Sequence, residues 1–424
     1  MKFDTICVQG AHKASENRKS PTVPVYLTTA YSFDSVQYAA DLFDLKQNGD
    51  IYTRLSNPTT NTLEERITAL EGGVGALAVS SGQSASLIAI LNIADSGDEV
   101  VASTNMYGGT VNLLNVTLGK MGIKTNFVTS DDAKDYEAKI TDKTRCIFVE
   151  MLNNPSLKIA DIENIAKVAH AHNIPLIVDN TITTPYLCRP FEWGADIVVH
   201  SLTKYIGGHG NSMGGIIVDS GNFDCAKAGK FPQLTEPDES YHGTKYVECF
   251  GKMAYIVKAR AQLIRDLGTC ISPMNSFLII QGLETLSLRM ERLSNTALKV
   301  ANFLKNHEAV TWVNYPMLED SPYHELAKKY MPKGASSIVS FGIKNGGESG
   351  VKFIENLKLP IHATNIGDSR TIITYPALTT HRQLTDEQME ECGIGRDFMR
   401  LSVGLEDVDD IIADLDNALK ISQK

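Results

Sequence analysis

The residues best suited to chemistry follow two apolar runs in the middle of the chain. Asp179 ends the run IPLIVD, and 25 positions later Lys204 follows the run ADIVVHS, together with Ser201 and Thr203. A lysine removed from water can act as a nucleophilic amine that forms an imine with a carbonyl compound. A buried carboxylate is costly unless it is paired. Alone, Asp179 could equally be a helix cap or an ion-paired acid, and Lys204 a surface lysine, so their combination carries the interpretation.

Two further turns could bind a flat, phosphorylated ligand. Ser81, Gly82 and Gln83 follow the run GALAVS and begin a helical pattern. A helix N-terminus offers free N–H groups and a positive dipole end, which suit a phosphate group. Tyr107 follows the run EVVAST, where an aromatic ring could stack on a flat ligand. Alone, the first turn would be an ordinary serine cap and Tyr107 a core or rim tyrosine.

Together these four features predict a binding site for pyridoxal 5′-phosphate (PLP). The phosphate would lie on the turn at Gly82, and the ring of Tyr107 would stack on the pyridine ring. A carboxylate at Asp179 would keep the pyridine nitrogen protonated, which makes the ring an electron sink. Lys204 would form the imine with the aldehyde and move protons.

The elements that must position these side chains are typical of a mostly parallel sheet covered by helices. Short apolar runs alternate with helical patterns from about Leu63 onward, and strands that are apolar throughout are buried on both faces. In open sheets of this kind, ligands bind at the carboxyl ends of the strands, where the candidate residues lie. The expected strands are residues 75–81, 99–104, 145–151, 174–180, 195–201 and 214–220.

The patterns divide the chain into three regions. Residues 1–60 are polar and punctuated by proline, and we expect an irregular N-terminal arm there. Residues 61–265 should form a large α/β domain with at least six strands. Residues 266–424 should form a smaller α+β domain, with strands at 336–343, 370–376 and 398–406 and an acidic helix at 407–420.

Composition and charge exclude several other classes of protein. The chain of 424 residues is 43% apolar and 21% charged, which is typical of a globular protein. A net charge of −10 argues against a nucleic acid or an anionic membrane as the partner. No apolar stretch approaches ~18 residues, the length that a membrane span needs. Seven scattered cysteines and an N-terminus without a leader-like apolar run favour a cytoplasmic protein with reduced thiols.

The histidines give little support for a metal site. His170 and His172 are two positions apart on a predicted helix, so their rings would point apart. His200 and His209 flank the lysine, but no third acid or thiol clusters with them. We therefore predict no metal.

Several stretches resemble one known family, the PLP-dependent enzymes of Cys/Met metabolism. They occur in the order of the family, run from about residue 5 to 420, and include HSLTKYIGGHGN (200–211), which is a highly specific signal. The resemblance implies the aspartate-aminotransferase-like fold, also called the type I PLP fold. The other matching stretches are YTRLSNPT (52–59), SSGQSA (80–85), MYGGT (106–110), NNPSLKIADI (153–162), VDNT (178–181), TTH (379–381) and RLSVGLED (400–407).

The resemblance implies a role for each matching residue around the coenzyme. Lys204 would hold the coenzyme covalently and then move protons between carbon atoms. Asp179 would pair with the pyridinium nitrogen, and Tyr107 would stack on the ring and assist departure of the leaving group. The residues that bind the phosphate would be Gly82, Gln83, Ser201 and Thr203.

The resemblance also implies a site shared between subunits. Tyr52 and Arg54 would reach into the neighbouring subunit and complete its phosphate site, so we expect a homotetramer built from dimers. Arg400 would bind the substrate carboxylate with two N–H groups. Asn154 and Asn365 would lie nearby, although Asn365 replaces a serine found in many relatives, which leaves that contact open. Arg382 stands where a small residue is usual, and the sequence offers no explanation for it.

Three features are closest to the branch of the family that replaces the acetate of O-acetyl-L-homoserine with sulfide, which gives L-homocysteine for methionine biosynthesis. They are the insert at 229–243, the stretch NIGD (365–368), and Gly109, where methionine γ-lyases carry a cysteine. A cystathionine γ-synthase or methionine γ-lyase reaction is the alternative within the family. A binding protein that has lost turnover is the more distant one. The acetyl or succinyl ester, the sulfur donor and the choice of dimer or tetramer stay open.

Overall fold

Two β-sheets organise the chain. The computed structural model describes residues 1–379, 382 and 394–424. The strands are β1 (Gly75–Val79), β2 (Glu99–Ser103), β3 (Lys124–Val128), β4 (Thr144–Glu150), β5 (Leu176–Asp179), β6 (Ile197–Ser201), β7 (Gly215–Asp219), β8 (Val310–Asn314), β9 (Ile338–Ile343), β10 (Ile361–His362), β11 (Ile372–Thr374) and β12 (Phe398–Ser402).

Helices connect these strands and cover the sheets. The longer ones are α1 (Val36–Phe43), α2 (Pro58–Glu71), α3 (Gly82–Leu91), α4 (Ile162–Ala171), α5 (Pro273–Glu284), α6 (Leu286–Lys305), α7 (Gly347–Asn356) and α8 (Val408–Ser422). Shorter α-helical segments are Phe3–Gln9, Gly108–Asn112, Leu118–Lys120, Ala133–Glu137, Thr184–Leu187, Cys225–Ala228, Pro232–Thr235, Tyr246–Phe250, Ala254–Lys258, Arg265–Leu267 and His324–Tyr330.

Capping residues set the ends of the helices that flank the first strand. Asn57 begins α2, because its side chain accepts a hydrogen bond from the N–H of Thr59 and Pro58 occupies the first turn. Gly72 ends this helix with a φ of +82°, a conformation that favours glycine. Ser81 caps α3 in the same way as Asn57 caps α2, and so fixes where β1 turns into that helix.

The large sheet has the strand order β1-β7-β6-β5-β4-β2-β3, and every strand except β7 runs in the same direction. Alternate residues of β1 belong to hydrophobic clusters on opposite faces, Ala76 and Ala78 to one and Leu77 and Val79 to the other. Both faces are therefore buried, and the six strands expected from apolar runs are confirmed. β3 was not predicted, because this edge strand has one fully buried residue, Val128, and no apolar run.

The small sheet has the order β10-β11-β12-β9-β8, and its strands pair antiparallel except for β10 with β11. β9, β11 and β12 were expected, and so was the acidic helix α8, which Asp407 caps. β8 and β10 were missed, because β8 is only half-buried and β10 has two residues. Helix α6 packs on β8 and β9 and connects this sheet to the rest of the core.

The N-terminal region is more ordered than its polar pattern predicted. Phe3–Gln9 is helical, and the carbonyl oxygen of its buried Cys7 accepts a hydrogen bond from Arg66 of α2 at 3.0 Å. Helix α1 was also missed, although its residues carry a helical apolar pattern; only Leu42 among them is buried. The expectation of an irregular arm is therefore wrong for these two segments.

In the described ranges, no helix is both long enough and apolar enough to cross a lipid bilayer. The six cysteines within these ranges are free thiols, whereas Cys392 lies outside them. Of the TTH stretch, residues 380 and 381 also lie outside the described part. Arg382 is exposed, and nothing in the structure explains it.

Candidate functional site

The carboxyl ends of β1, β2, β4, β5 and β6 border a cavity of about 310 Å³ at one edge of the large sheet. The loop before β11 and a residue of β12 in the small sheet close its other side. All but two of the predicted site residues line this cavity. Those brought together are Gly82, Gln83, Tyr107, Asn154, Asp179, Ser201, Thr203, Lys204, Asn365 and Arg400.

The N-terminus of α3 forms a tight cradle at the bottom of the cavity. A Cβ atom at Gly82 would lie 2.6 Å from the Cβ of Ser201, and one at Gly215 would lie 2.0 Å from the carbonyl oxygen of Ser81. Glycine at both positions therefore lets the helix start approach the ends of β6 and β7. The backbone N–H groups of the first helical turn and the nearby hydroxyl groups are the donors that a phosphate group needs.

Lys204 lies in the loop after β6, and its amine donates a hydrogen bond to Oδ1 of Asn365 at 2.7 Å. Burial lowers the pKa of Lys204, and the charge of Arg400 lowers it further. A larger fraction of the amine is thus uncharged near neutral pH than for an exposed lysine. The hydroxyl of Thr203 bonds both the N–H and the carbonyl oxygen of Gly214, which holds the loop against the start of β7.

Arg289 of α6 supports this loop, and sequence reasoning did not identify it. Its guanidinium donates to the carbonyl oxygens of Tyr205 at 2.6 Å, Ile206 at 3.1 Å and Gly282 at 2.7 Å. Burial lowers the pKa of Arg289 to about 10. Because the residue is separated from Lys204 by 85 positions and belongs to an ordinary amphipathic helix, only the folded chain identifies it.

Two carboxyl groups end neighbouring strands beside the lysine. Asp179 accepts a hydrogen bond from the N–H of Thr181 at 2.9 Å, and burial raises its pKa. Glu150 ends β4 and is the register partner of Asp179. Burial and the charge of Asp179 raise the pKa of Glu150 well above its usual range. Sequence reasoning missed Glu150, although an acid at the end of an apolar run is the same signal that identified Asp179.

Tyr107 lies at the rim of the cavity, with 52% of its surface exposed. Its backbone N–H donates to Oε1 of Glu150 at 2.7 Å. A Cβ atom at Gly109 would lie 2.4 Å from the Cε1 of the Tyr107 ring. The ring therefore occupies space that exists only because residue 109 is glycine.

Arg400 of β12 enters the cavity from the small sheet and is 8% exposed. Its guanidinium donates to Oδ1 of Asn154 at 3.1 Å, the hydroxyl of Thr374 at 3.0 Å and the carbonyl oxygen of Asn365 at 3.2 Å. Burial lowers the pKa of Arg400 to about 10. Its Nε has no hydrogen-bond partner among the described residues, so the group can still bind an anion.

Tyr52 and Arg54 are the two predicted residues that the structure does not bring to this cavity. Both are exposed, and the Arg54 guanidinium lies 5.3 Å from the centroid of the Tyr52 ring. The side chains that line the cavity within the described part of the chain do not include them.

The histidines considered as metal ligands have other partners. His200 is fully buried and its Nε2 lies 2.6 Å from Oε1 of Glu71, while Nδ1 of His209 lies 2.7 Å from the carbonyl oxygen of Gly207. Nε2 of His170 lies 2.8 Å from Oδ2 of Asp196. Within the ranges that the structure describes, no three His, Cys, Asp or Glu residues form a group able to hold a metal.

The cavity fits the coenzyme predicted from the sequence. The cradle at Gly82, which a Cβ atom would fill, suits the phosphate, and the half-exposed ring of Tyr107 suits an aromatic coenzyme. The buried acid Asp179 suits the pyridine nitrogen, and the partly buried amine of Lys204 suits the aldehyde.

Known proteins resemble this chain along nearly its entire length. An O-acetyl-L-homoserine sulfhydrylase from Leptospira meyeri is 50% identical over 428 residues, which cover 99% of this chain and 97% of that protein. A homocysteine synthase from Schizosaccharomyces pombe is 46% identical, over 99% of this chain and 98% of that protein. Both alignments therefore extend over nearly the full length of the two proteins compared.

A solved structure is also similar throughout. It is a Campylobacter jejuni protein, provisionally described as an O-acetylhomoserine (thiol)-lyase, that contains a pyridoxyl-lysine phosphate residue. It has a TM-score of 0.96 and 40% identity, and covers 99% of this chain and 100% of its own. With the two sheets described above, this likeness confirms the predicted type I PLP fold.

The sequence matches the family described as "Cys/Met metabolism PLP-dependent enzyme" over residues 4–420. This match confirms both the resemblance seen in the motifs and the predicted coenzyme. Because it spans the strand ends, the lysine loop and Arg400 alike, the chain belongs to the PLP-dependent enzymes of Cys/Met metabolism.

Proposed function

We propose that this enzyme replaces the γ-acetoxy group of O-acetyl-L-homoserine with sulfide, which yields L-homocysteine and acetate for methionine biosynthesis in the cytoplasm. The observation that carries the proposal is the shared cavity of Lys204 and Arg400, which offers a proton-accepting amine beside a binding group for a carboxylate. The names of the Leptospira and Schizosaccharomyces relatives support the choice of substrate.

The chain's own residues would hold the coenzyme at several points. When bound, PLP supplies an electron sink that stabilises negative charge next to the substrate amino group. Asp179 would pair with the ring nitrogen, Tyr107 would stack on the ring, and the amine of Lys204 would hold the coenzyme through its aldehyde carbon. The groups proposed to bind the phosphate are Gly82, Gln83, Ser201 and Thr203.

Lys204 is the proposed proton carrier. Its lowered pKa favours the free amine, which takes the proton from Cα of the substrate and later returns protons to carbon. Lys204 then takes a proton from Cβ, and the electron pair of that C–H bond forms a Cβ–Cγ double bond as acetate leaves Cγ with its own bonding pair, a departure that Tyr107 assists. Sulfide then bonds to Cγ. The hydrogen bond to Asn365 supports this role, because it holds the amine at the centre of the cavity.

Arg400 is proposed to bind the α-carboxylate of the substrate. Its position on a strand makes the guanidinium rigid, and Asn154 and Thr374 orient it from two sides. The unpartnered Nε provides a further donor for a charge-assisted contact. Asn154 and Asn365 would then border the same carboxylate.

A second copy of the chain is proposed to complete the site. Tyr52 and Arg54 are exposed here and would reach the phosphate of the neighbouring subunit, with dimers pairing into a homotetramer. A groove of about 910 Å³ lined by parts of residues 42–76 and 241–265 lies beside them. Large apolar side chains nearby are exposed, which supports a covered surface in the assembly. We further propose the division into an arm (1–60), a coenzyme domain (61–265) and a C-terminal domain (266–424).

A substrate panel tests the proposed reaction. O-acetylhomoserine, O-succinylhomoserine and methionine are offered separately, each with sulfide or with cysteine. We expect homocysteine to form fastest from O-acetylhomoserine and sulfide. Faster formation of cystathionine from the succinyl ester and cysteine, or of methanethiol from methionine, would replace the proposal with one of the other reactions of the family.

A further inference from the structure

We propose that Glu150 is a positioning residue for Tyr107: its carboxyl group, in the neutral form, anchors the Tyr107 backbone and leaves Asp179 as the single charged acid of the pair. This inference rests on the proposed function, because it concerns the same coenzyme site. None of the roles inferred from the motifs includes Glu150.

A hydrogen bond joins the side chain of Glu150 to the backbone of Tyr107. Oε1 of Glu150 accepts the backbone N–H of Tyr107 at 2.7 Å, and Glu150 is only 8% exposed. Tyr107 begins the short helix Gly108–Asn112, which has no side-chain cap of its own. The ring of Tyr107 is half-exposed, so little packing holds it. Its position therefore depends on where the backbone is fixed, and the Glu150 carboxyl group supplies that attachment.

The second step concerns charge. Glu150 and Asp179 are register partners at the ends of β4 and β5, so their side chains leave the sheet on the same side. Two ionised carboxylates cannot be accommodated next to each other in a buried site without a counter-charge for each. Asp179 accepts the N–H of Thr181, and His200 of β6 acts on it electrostatically. The cationic groups Lys204 and Arg400 line the same cavity.

The third step decides which acid keeps the proton. Oε2 of Glu150 is buried and has no partner among the described residues, which is costly for an ionised carboxylate. Burial and the charge of Asp179 raise the pKa of Glu150, and these two effects outweigh the N–H groups of Tyr107 and Asn154, which lower it. Asp179 is the acid that a protonated ring nitrogen would face, so its negative charge is compensated when the coenzyme is bound. Glu150 therefore stays neutral and acts through its hydrogen bond.

Two variants of equal length separate the hydrogen bond from the charge. Glu150→Gln keeps an oxygen acceptor for the Tyr107 N–H without any charge, whereas Glu150→Met keeps the volume and removes the acceptor. In each holoenzyme we would measure deuterium uptake of a peptide spanning residues 104–112 without substrate, and kcat and KM with O-acetylhomoserine and sulfide. Glu150→Asp, which keeps the carboxyl group but is too short to reach the Tyr107 N–H, serves as the third variant.

The Gln variant should keep wild-type uptake and lose at most about threefold in kcat, because the acceptor is retained. The Met and Asp variants should exchange faster at this peptide and lose about tenfold or more in kcat. A Gln variant as impaired as the Met or Asp variant would overturn the proposal, and so would wild-type uptake in the Met variant. If the Glu150→Met protein does not fold, the proposal is tested by comparing deuterium uptake and kcat of the Glu150→Asp and Glu150→Gln variants. The uptake needs no substrate, so a wrong substrate assignment would leave this result intact.

Discussion

The cavity around Lys204 and the groove beside the N-terminal arm differ in how far one chain completes them. In the cavity, Lys204, Tyr107 and Arg400 each have a partner within the chain. In the groove, the apolar side chains of Phe43 and Met253 are 58% and 36% exposed. The strand ends thus bring polar side chains together within one chain, whereas the groove leaves apolar side chains exposed on the surface that we propose a second copy to cover.

The largest expected effect tests whether the cavity alone carries the chemistry. Lys204→Ala should lower kcat by roughly 10⁴-fold or more, because no other lysine of the described residues lines the cavity to hold the coenzyme and move the proton. Steady-state rates of homocysteine formation measure this loss. The exposed Lys227→Ala is the matched control and should keep wild-type rates. Near-wild-type turnover in the Lys204 variant would contradict the proposed chemistry.

The next effect concerns substrate binding within the same cavity. Arg400→Ala should raise KM for O-acetylhomoserine, with a loss of about 2–5 kcal/mol in kcat/KM, since a buried charge-assisted contact is lost. Arg400→Lys should recover part of it, because the charge remains but the paired geometry does not. A KM equal to that of the wild type in the Ala variant would remove Arg400 from its role.

The third prediction connects the two regions through a mixed oligomer. Arg54→Ala alone should weaken the enzyme about tenfold to a hundredfold, because a charged contact to the phosphate is lost. When Arg54→Ala chains are unfolded and refolded together with an equal amount of Lys204→Ala chains, activity should recover to about a quarter of wild type. Half of the dimers are then mixed, and each mixed dimer has one intact site.

The mixing experiment needs a control in which recovery is impossible. Chains that carry both substitutions, refolded with Lys204→Ala chains, should stay inactive. If Lys204 and Arg54 served the same site within one chain, the first mixture would also show no recovery, and the arm would lose its proposed role in the neighbouring site.

The smallest expected effect tests the ring of Tyr107. A Cβ atom at Gly109 would lie 2.4 Å from this ring, while one at Gly108 would have nothing within 4 Å. Gly109→Cys should therefore displace the ring and lower kcat with O-acetylhomoserine several-fold, roughly the effect of one lost aromatic contact. Gly108→Cys is the matched control and should lower kcat less than Gly109→Cys does. Equal losses in the two variants would mean that the space at residue 109 does not matter.

Four of the residues that sequence reasoning found share one property, which is their position after an apolar run. Lys204, Asp179, Tyr107 and Gly82 all follow buried strands, and the periodicity of those strands is strong because both faces of the sheet are covered. The fold could be predicted for the same reason. Arg400 was found through its motif, and its place opposite Lys204 needed the folded chain.

The residues that were missed act through contacts that no local pattern encodes. Arg289 reaches the carbonyl oxygens of Tyr205 and Ile206 from a helix far along the sequence. Glu150 ends a strand, but its importance depends on lying beside Asp179, which only the strand order establishes. The edge strand β3 and the two-residue strand β10 were missed because their sequences have no apolar period.

Covalent attachment at one amine is the central claim. Borohydride reduction of the holoenzyme, followed by protease digestion and mass spectrometry, should find a single pyridoxyl modification, on the peptide that contains Lys204. The Lys204→Ala protein treated in parallel should yield none. A modification on any other lysine, or an unmodified Lys204 in fully reduced and active enzyme, would contradict the assignment.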